Sequence, residues 1–108
     1  MDLLALKDRY QRDEMPIRLG NLASTLSRLA WFLERYPQSA GLLFEEAKNF
    51  AEWTVADAPS DVQAMLAELQ LHLAIWERRC SSGHAMMSLA PEAQQWSKEL
   101  LVRSGLAA

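Results

Sequence analysis

A single cysteine, Cys80, stands among the 108 residues, so no intramolecular disulfide can staple the fold, and a reducing compartment suits the chain. Histidine is almost as scarce, with His72 and His84 alone. A metal site needs several such ligands converging, and di-iron helical bundles need Glu-x-x-His motifs on two helices. Glu68 and His72 are four apart and the pattern has no second copy, so neither a metal nor a cofactor is expected.

Long apolar runs are missing too. The longest strongly apolar run, Leu29 to Leu33, is far short of the ~20 residues that span a bilayer. Met1-Asp2 lacks the basic start of a secretory signal, so the expectation is a cytoplasmic protein with no membrane partner. Basic charge is neither abundant nor clustered: 11 Lys and Arg against 14 Asp and Glu leave a net charge of −3. Nucleic-acid binding relies on clustered cations that displace counterions, so no nucleic-acid partner is expected. Phosphate-cradling glycine loops, Gly-x-Ser-x-Gly elbows and zinc-protease signatures are absent. So are strand-like alternation and Asn-Gly hairpin signals.

What remains is a chain with 50% apolar and 23% charged residues, close to globular averages, enough for one domain that buries roughly 65% of its unfolded surface. Prolines at 16, 37, 59 and 91 each precede a stretch of helical periodicity, and proline is tolerated in a helix's first turn because its missing N–H has no partner there. Five helices are expected, at 2–14, 16–36, 38–57, 60–80 and 91–104. Over 16–36 the residues Leu19, Leu22, Leu26, Leu29, Leu33 and Tyr36 repeat at alternating spacings of three and four, the pattern of a packed helix. Over 60–80 the same logic uses Val62, Leu66, Leu69, Leu73, Trp76 and Cys80.

Leu43, Ala47, Phe50 and Thr54 form the central line of 38–57, flanked by Leu42 and Trp53 on one side and Phe44, Ala51 and Val55 on the other. The first helix uses Leu3, Leu6 and Tyr10, the last Ala93, Trp96 and Leu100. Ser60 and Gln63 have capping-box spacing. Gly105 suits a left-handed helix end, with Leu106 placed to touch Leu101. Short connections force neighbours to run antiparallel. The expected architecture is all-α, an up-and-down four-helix bundle with an additional N-terminal helix, in a single domain over 1–108.

Leu22-Ala23, Leu29-Ala30 and Arg35 match Leu66-Ala67, Leu73-Ala74 and Arg79 at an offset of 44, an echo that a duplicated hairpin or chance leucine spacing would both produce. Chemistry-bearing residues are few. Cys80 as a nucleophile needs a base to form thiolate, and His84 is close in sequence; Cys80 equally continues the core line of Leu73 and Trp76. His72 lies about 80° from the centre of its helix's core stripe, a boundary position. Arg79-Cys80-Ser81-Ser82-Gly83-His84 resembles the short active-site motif of HEPN helical-bundle ribonucleases, which implies a metal-independent ribonuclease. Gly83 departs from that motif's helical context, and Arg78 and Arg79 also serve as cations at a helix C-terminus.

The richest signal is apolar surface on two faces of one helix. Opposite the leucine stripe of 16–36 lie Ile17, Gly20, Ser24 and Trp31, where Gly20, Ser24 and Ser27 admit a close backbone. On 60–80, Leu71 and Ile75 lie opposite the core stripe among Ala64, Ala67 and Ala74. Uncovered apolar faces mark interaction sites, and the short N-terminal helix can cover one of the two. The expectation is a non-enzymatic interaction module that binds a second copy of itself, as a dimer, or another protein. Its interface candidates are Ile17, Gly20, Ser24, Trp31, Leu71 and Ile75. An alternative is a ligand-binding regulator whose pocket uses Trp76, Met86, Met87 and Trp96, since aromatic and methionine side chains accept flat apolar ligands.

Overall fold

The structure, a computed structural model, describes residues 2–82 and 87–105, with only the backbone of Met87. Most of those residues are helical, and no strand occurs among them. The helices are α1 (Leu3–Arg12), α2 (Met15–Arg35), α3 (Gly41–Val55), α4 (Ser60–Ser81) and α5 (Ala90–Ser104), with 3-10 turns at Pro37–Ser39 and Met87–Leu89. Asp2 starts α1 by accepting a 3.1 Å hydrogen bond from the Leu4 N–H. Pro16 and Pro91 fall in the first turns of α2 and α5, where the missing N–H costs nothing. Gly105 ends α5 in the left-handed conformation, φ 76°; Leu106 lies outside the described residues.

Two sequence expectations change. Pro37 does not open a long helix: it forces Tyr36 out of the helical region, to φ −139° and ψ 64°, because a residue before proline avoids αR. α2 therefore stops at Arg35, a 3-10 turn intervenes, and α3 begins at Gly41 rather than 38. Tyr36, expected on the core stripe, is 55% exposed. The Ser60–Gln63 capping box does not form either, since Pro59 takes the cap position and no side chain caps α4. Gln63 instead reaches across the connection, its Nε2 donating to the Val55 carbonyl at 2.9 Å, which satisfies an acceptor at the end of α3.

The core follows the leucine stripes. Leu19, Leu22, Leu26, Leu29 and Leu33 of α2 are buried, as are Val62, Leu66, Leu69, Leu73 and Trp76 of α4. Cys80 is half-buried. α3 buries Phe44, Ala47, Phe50, Ala51, Trp53 and Thr54, but Leu42 points outward and is 84% exposed. α2 packs against α5 and α3, and α3 against α4. Each of these pairs is antiparallel: Thr25 and Arg28 meet Glu46 while Arg18 meets Asp57, and Lys48 meets Glu77 while Val55 meets Gln63. α5 meets α2 through Ser97 with Ala23 and Gln94 with Ser27. Side chains also bridge α4 and α5, through the His72–Trp96 ring contact and the Arg103–Asp61 ion pair.

α1 covers neither outer face. It lies on α3, with Tyr10 stacked on Phe50 at 4.3 Å between ring centroids. The Tyr10 hydroxyl donates to the Arg18 carbonyl at 2.9 Å and lies 2.6 Å from Thr54 Oγ1. Beside it the buried Arg18 guanidinium makes two 2.8 Å bonds to Asp57. That pairing holds the Asp57 carboxyl below the usual carboxylate range, and burial pushes the Tyr10 phenol up to about 12.

Three outcomes follow in equilibrium denaturation. Leu29→Ala or Leu69→Ala costs ~2 to 5 kcal/mol, because each opens a cavity among residues that are fully buried. Asp57→Asn costs ~1 kcal/mol, since it removes the charge and one of the two acceptors facing a buried guanidinium whose Nε already has no partner, while solvent screens the exposed carboxylate. The raised Tyr10 pKa means the folded state favours the neutral phenol, so its contribution is complete below the unfolded value of about 10 and is lost as pH rises toward 12. Tyr10→Phe therefore costs ~1 kcal/mol at neutral pH. It also removes ~1 kcal/mol of the stability the unmodified chain loses between pH 9 and pH 11.

Candidate functional site

Helix packing sorts the candidate interface residues onto two separate surfaces. On the outer side of α2, Ile17 and Trp31 are each 45% exposed, Ser24 is exposed and Gly20 half-buried. Residues 17, 24 and 31 are seven apart and so share one helical line. On α4, Leu71 is 61% and Ile75 41% exposed, and Ala64, Ala67 and Ala74 beside them are exposed as well. α2 and α4 each pack against α3, which holds the two lines apart.

The small residues of α2 have a partner within the chain. Ala23 and Ala30 are buried, and Ser97 of α5 donates to the Ala23 carbonyl at 2.7 Å. Ser27 Oγ lies 3.4 Å from Gln94 Oε1. A side-chain hydroxyl bonded to the carbonyl of a neighbouring helix requires close approach, and alanine and serine permit it by carrying no bulk. The close backbone anticipated along Ser27 is thus α5 itself, while Ser24, one turn away, stays outside.

Where α5 begins, it leaves a groove of about 450 Å³ against the last turns of α2, lined by Ser27, Trp31, Glu34, Arg35, Pro91 and Gln94 among others. Trp31 is braced there. Phe32 meets it edge-on at 5.1 Å, Tyr36 lies 5.6 Å away, and the Arg35 guanidinium sits 4.8 Å over its ring, a cation–π arrangement. A tryptophan so held loses little rotamer freedom when covered, which suits an anchor.

Of the residues proposed for a ligand pocket, only Trp76 and Trp96 have described side chains. Trp76 is buried at 1% exposure. Trp96 is half-buried, and His72 sits between the two rings at 5.7 and 5.6 Å. Beside Trp96 a cleft of about 220 Å³ is lined by Glu68, Gln95 and Glu99. Met86 and the side chain of Met87 lie outside the described residues, as do Gly83 and His84 of the ribonuclease-like stretch. Burial and the nearby Glu77 raise the Cys80 pKa, the reverse of what a nucleophilic thiolate needs. Among the described residues no group of three His, Cys, Asp or Glu is placed to hold a metal, and no helix is long and apolar enough to cross a membrane.

Sequence reasoning missed the pairing of the buried Arg18 with the exposed Asp57. The two are 39 positions apart, and no local periodicity links a charge on the flank of α2 to a carboxylate beyond the end of α3. It also missed the Glu68–Glu99 cleft, which exists only because side chains of α4 and α5 come together. Comparison of the chain with protein-family models, with curated proteins and with solved structures found no match in any of the three.

Proposed function

We propose that this chain is a non-enzymatic protein-interaction module, a small self-associating adaptor, assembly factor or regulatory subunit that works in the cytoplasm. In this reading α2 to α5 form an up-and-down four-helix bundle, with α1 strapped across α3. The antiparallel pairings of α2 with α3, α3 with α4 and α5 with α2, and the side-chain bridges between α4 and α5, support that arrangement.

The observation that carries the reading is the fate of the spare helix. α1 is committed to α3 through Tyr10, so it covers neither Trp31 on α2 nor Leu71 and Ile75 on α4. Large apolar side chains left exposed on two helices lower their free energy when another chain covers them, by ~25 cal/mol per Å² removed from water. The acidic balance of the chain and the raised Cys80 pKa favour binding over nucleic-acid chemistry or nucleophilic catalysis.

Replacing Trp31 or Leu71 by a photo-reactive phenylalanine analogue tests the reading in cells of the source organism. Irradiation is expected to yield covalent adducts heavier than the chain from at least one position. Absence of adducts at both positions would remove the basis for an interaction module. In the purified protein, Trp31→Glu or Ile75→Glu should leave a helical, cooperatively melting chain, because both side chains are already half in water. Loss of the circular-dichroism melting transition in either variant would show that the face is needed for folding of the chain itself.

A further inference from the structure

We propose that a second copy of this chain docks antiparallel on the outer face of α4, with Leu71 of each copy against Ile75 of the other and Arg79 of each copy entering the other's cleft beside Glu68. The inference rests on the interaction reading above and deepens it by naming the partner and its register.

The apolar part of the surface is a single line. At about 100° per residue, Ala64, Leu71 and Ile75 fall within about 20° of one direction on α4, and all three are exposed. Glu68 and Arg79 lie about 40° and 60° to one side of that line. They share a flank, and it is the flank toward α5, because Glu68 lines the cleft with Gln95, Trp96 and Glu99. Both are exposed, and neither side chain forms a hydrogen bond or ion pair among the described residues.

That charge arrangement is self-complementary in one orientation only. A two-fold axis midway between Leu71 and Ile75 places Glu68 about 7.5 Å along the helix on one side and Arg79 about 9 Å on the other, at 1.5 Å per residue. In an antiparallel pair the axis keeps both residues on the same flank, so Arg79 of one copy arrives within about 1.5 Å of the level of Glu68 on the other. A parallel pair would place the two copies of Glu68, and the two copies of Arg79, level with each other on opposite flanks, so no charge would meet its opposite. The guanidinium then enters a cleft whose walls are two carboxylates and the Trp96 indole, groups that accept its planar donors and stack on its face.

The chain also shows what a helix does with such a row. Ala23, Ser27 and Ala30 of α2 stand 44 positions before Ala67, Leu71 and Ala74 of α4. On α2 that row carries α5, antiparallel and close enough for a 2.7 Å bond to the Ala23 carbonyl. On α4 the matching row is uncovered, with Ala67 and Ala74 exposed. An antiparallel helix presenting its own small residues fits it, and α4 of a second copy is such a helix.

Sedimentation equilibrium of the full chain across a dilution series, read beside charge-reversed variants, tests the assignment. The unmodified chain is expected to dimerise. Glu68→Arg alone and Arg79→Glu alone should each weaken the dimer by about tenfold or more, since two attractive contacts become repulsive. A one-to-one mixture of the two variants should recover dimerisation well above that of either variant alone, because both contacts are then between opposite charges. Circular dichroism of each variant confirms that the protomer is folded, and Leu71→Lys should abolish the dimer without lowering helicity. An unmodified chain that stays monomeric at every concentration, or a mixture that associates no better than its components, would overturn the assignment. A photo-adduct at position 71 with a different protein would overturn it too while leaving the interaction reading intact, whereas absence of adducts at both positions would remove both.

Discussion

The close approach of α5 to α2 is the constraint on which the rest of the molecule depends. α2 presents two packing surfaces at once, a leucine stripe and an adjacent row of small residues. Large side chains interdigitate at ordinary interhelical distance, whereas alanine and serine admit a helix to backbone contact. The second surface is occupied from within, through Ser97 and the Ala23 carbonyl. Once α5 is seated there and α3 holds the opposite flank of α2, the line through Ile17, Ser24 and Trp31 is left to solvent.

A second constraint fixes α1. Tyr10 fills the space between Phe50, Trp53 and the end of α3, and its hydroxyl is satisfied by a carbonyl of α2. The adjoining buried Arg18 guanidinium reaches the exposed Asp57 carboxylate through two 2.8 Å bonds, which ties the start of α2 to the residues after α3. A shifted register would leave that guanidinium without its carboxylate, a penalty on misalignment larger than what the pair itself adds to stability. With α1 held in this way, the outer faces of α2 and α4 stay exposed.

α2 and α4 carry nearly the same leucine and alanine pattern and meet different fates. Their leucine stripes are buried alike, but the alanines of α2 are covered and those of α4 exposed. The difference does not lie in either helix. It arises because α5 follows α4 through a longer connection and settles against α2 rather than along the alanines of α4, meeting α4 only through side chains such as Trp96 and Arg103.

By itself the sequence determined the helical class, the inward stripes of α2 and α4, the left-handed end at Gly105 and the presence of apolar residues opposite the core. Each of these is local, set by 3.6-residue periodicity, by the backbone freedom of glycine or by the missing N–H of proline. It did not determine that Pro37 would open a 3-10 turn, that Gln63 would cap the preceding helix rather than its own, or that Leu42 would face outward. Tertiary structure alone decided that Arg18 pairs with Asp57, that Glu68 and Glu99 share a cleft with Trp96, and that α1 lies on α3 and leaves the outer faces bare. Those outcomes join residues 28 or more positions apart, and which helix covers which face depends on the competition among all of them for the same apolar surface.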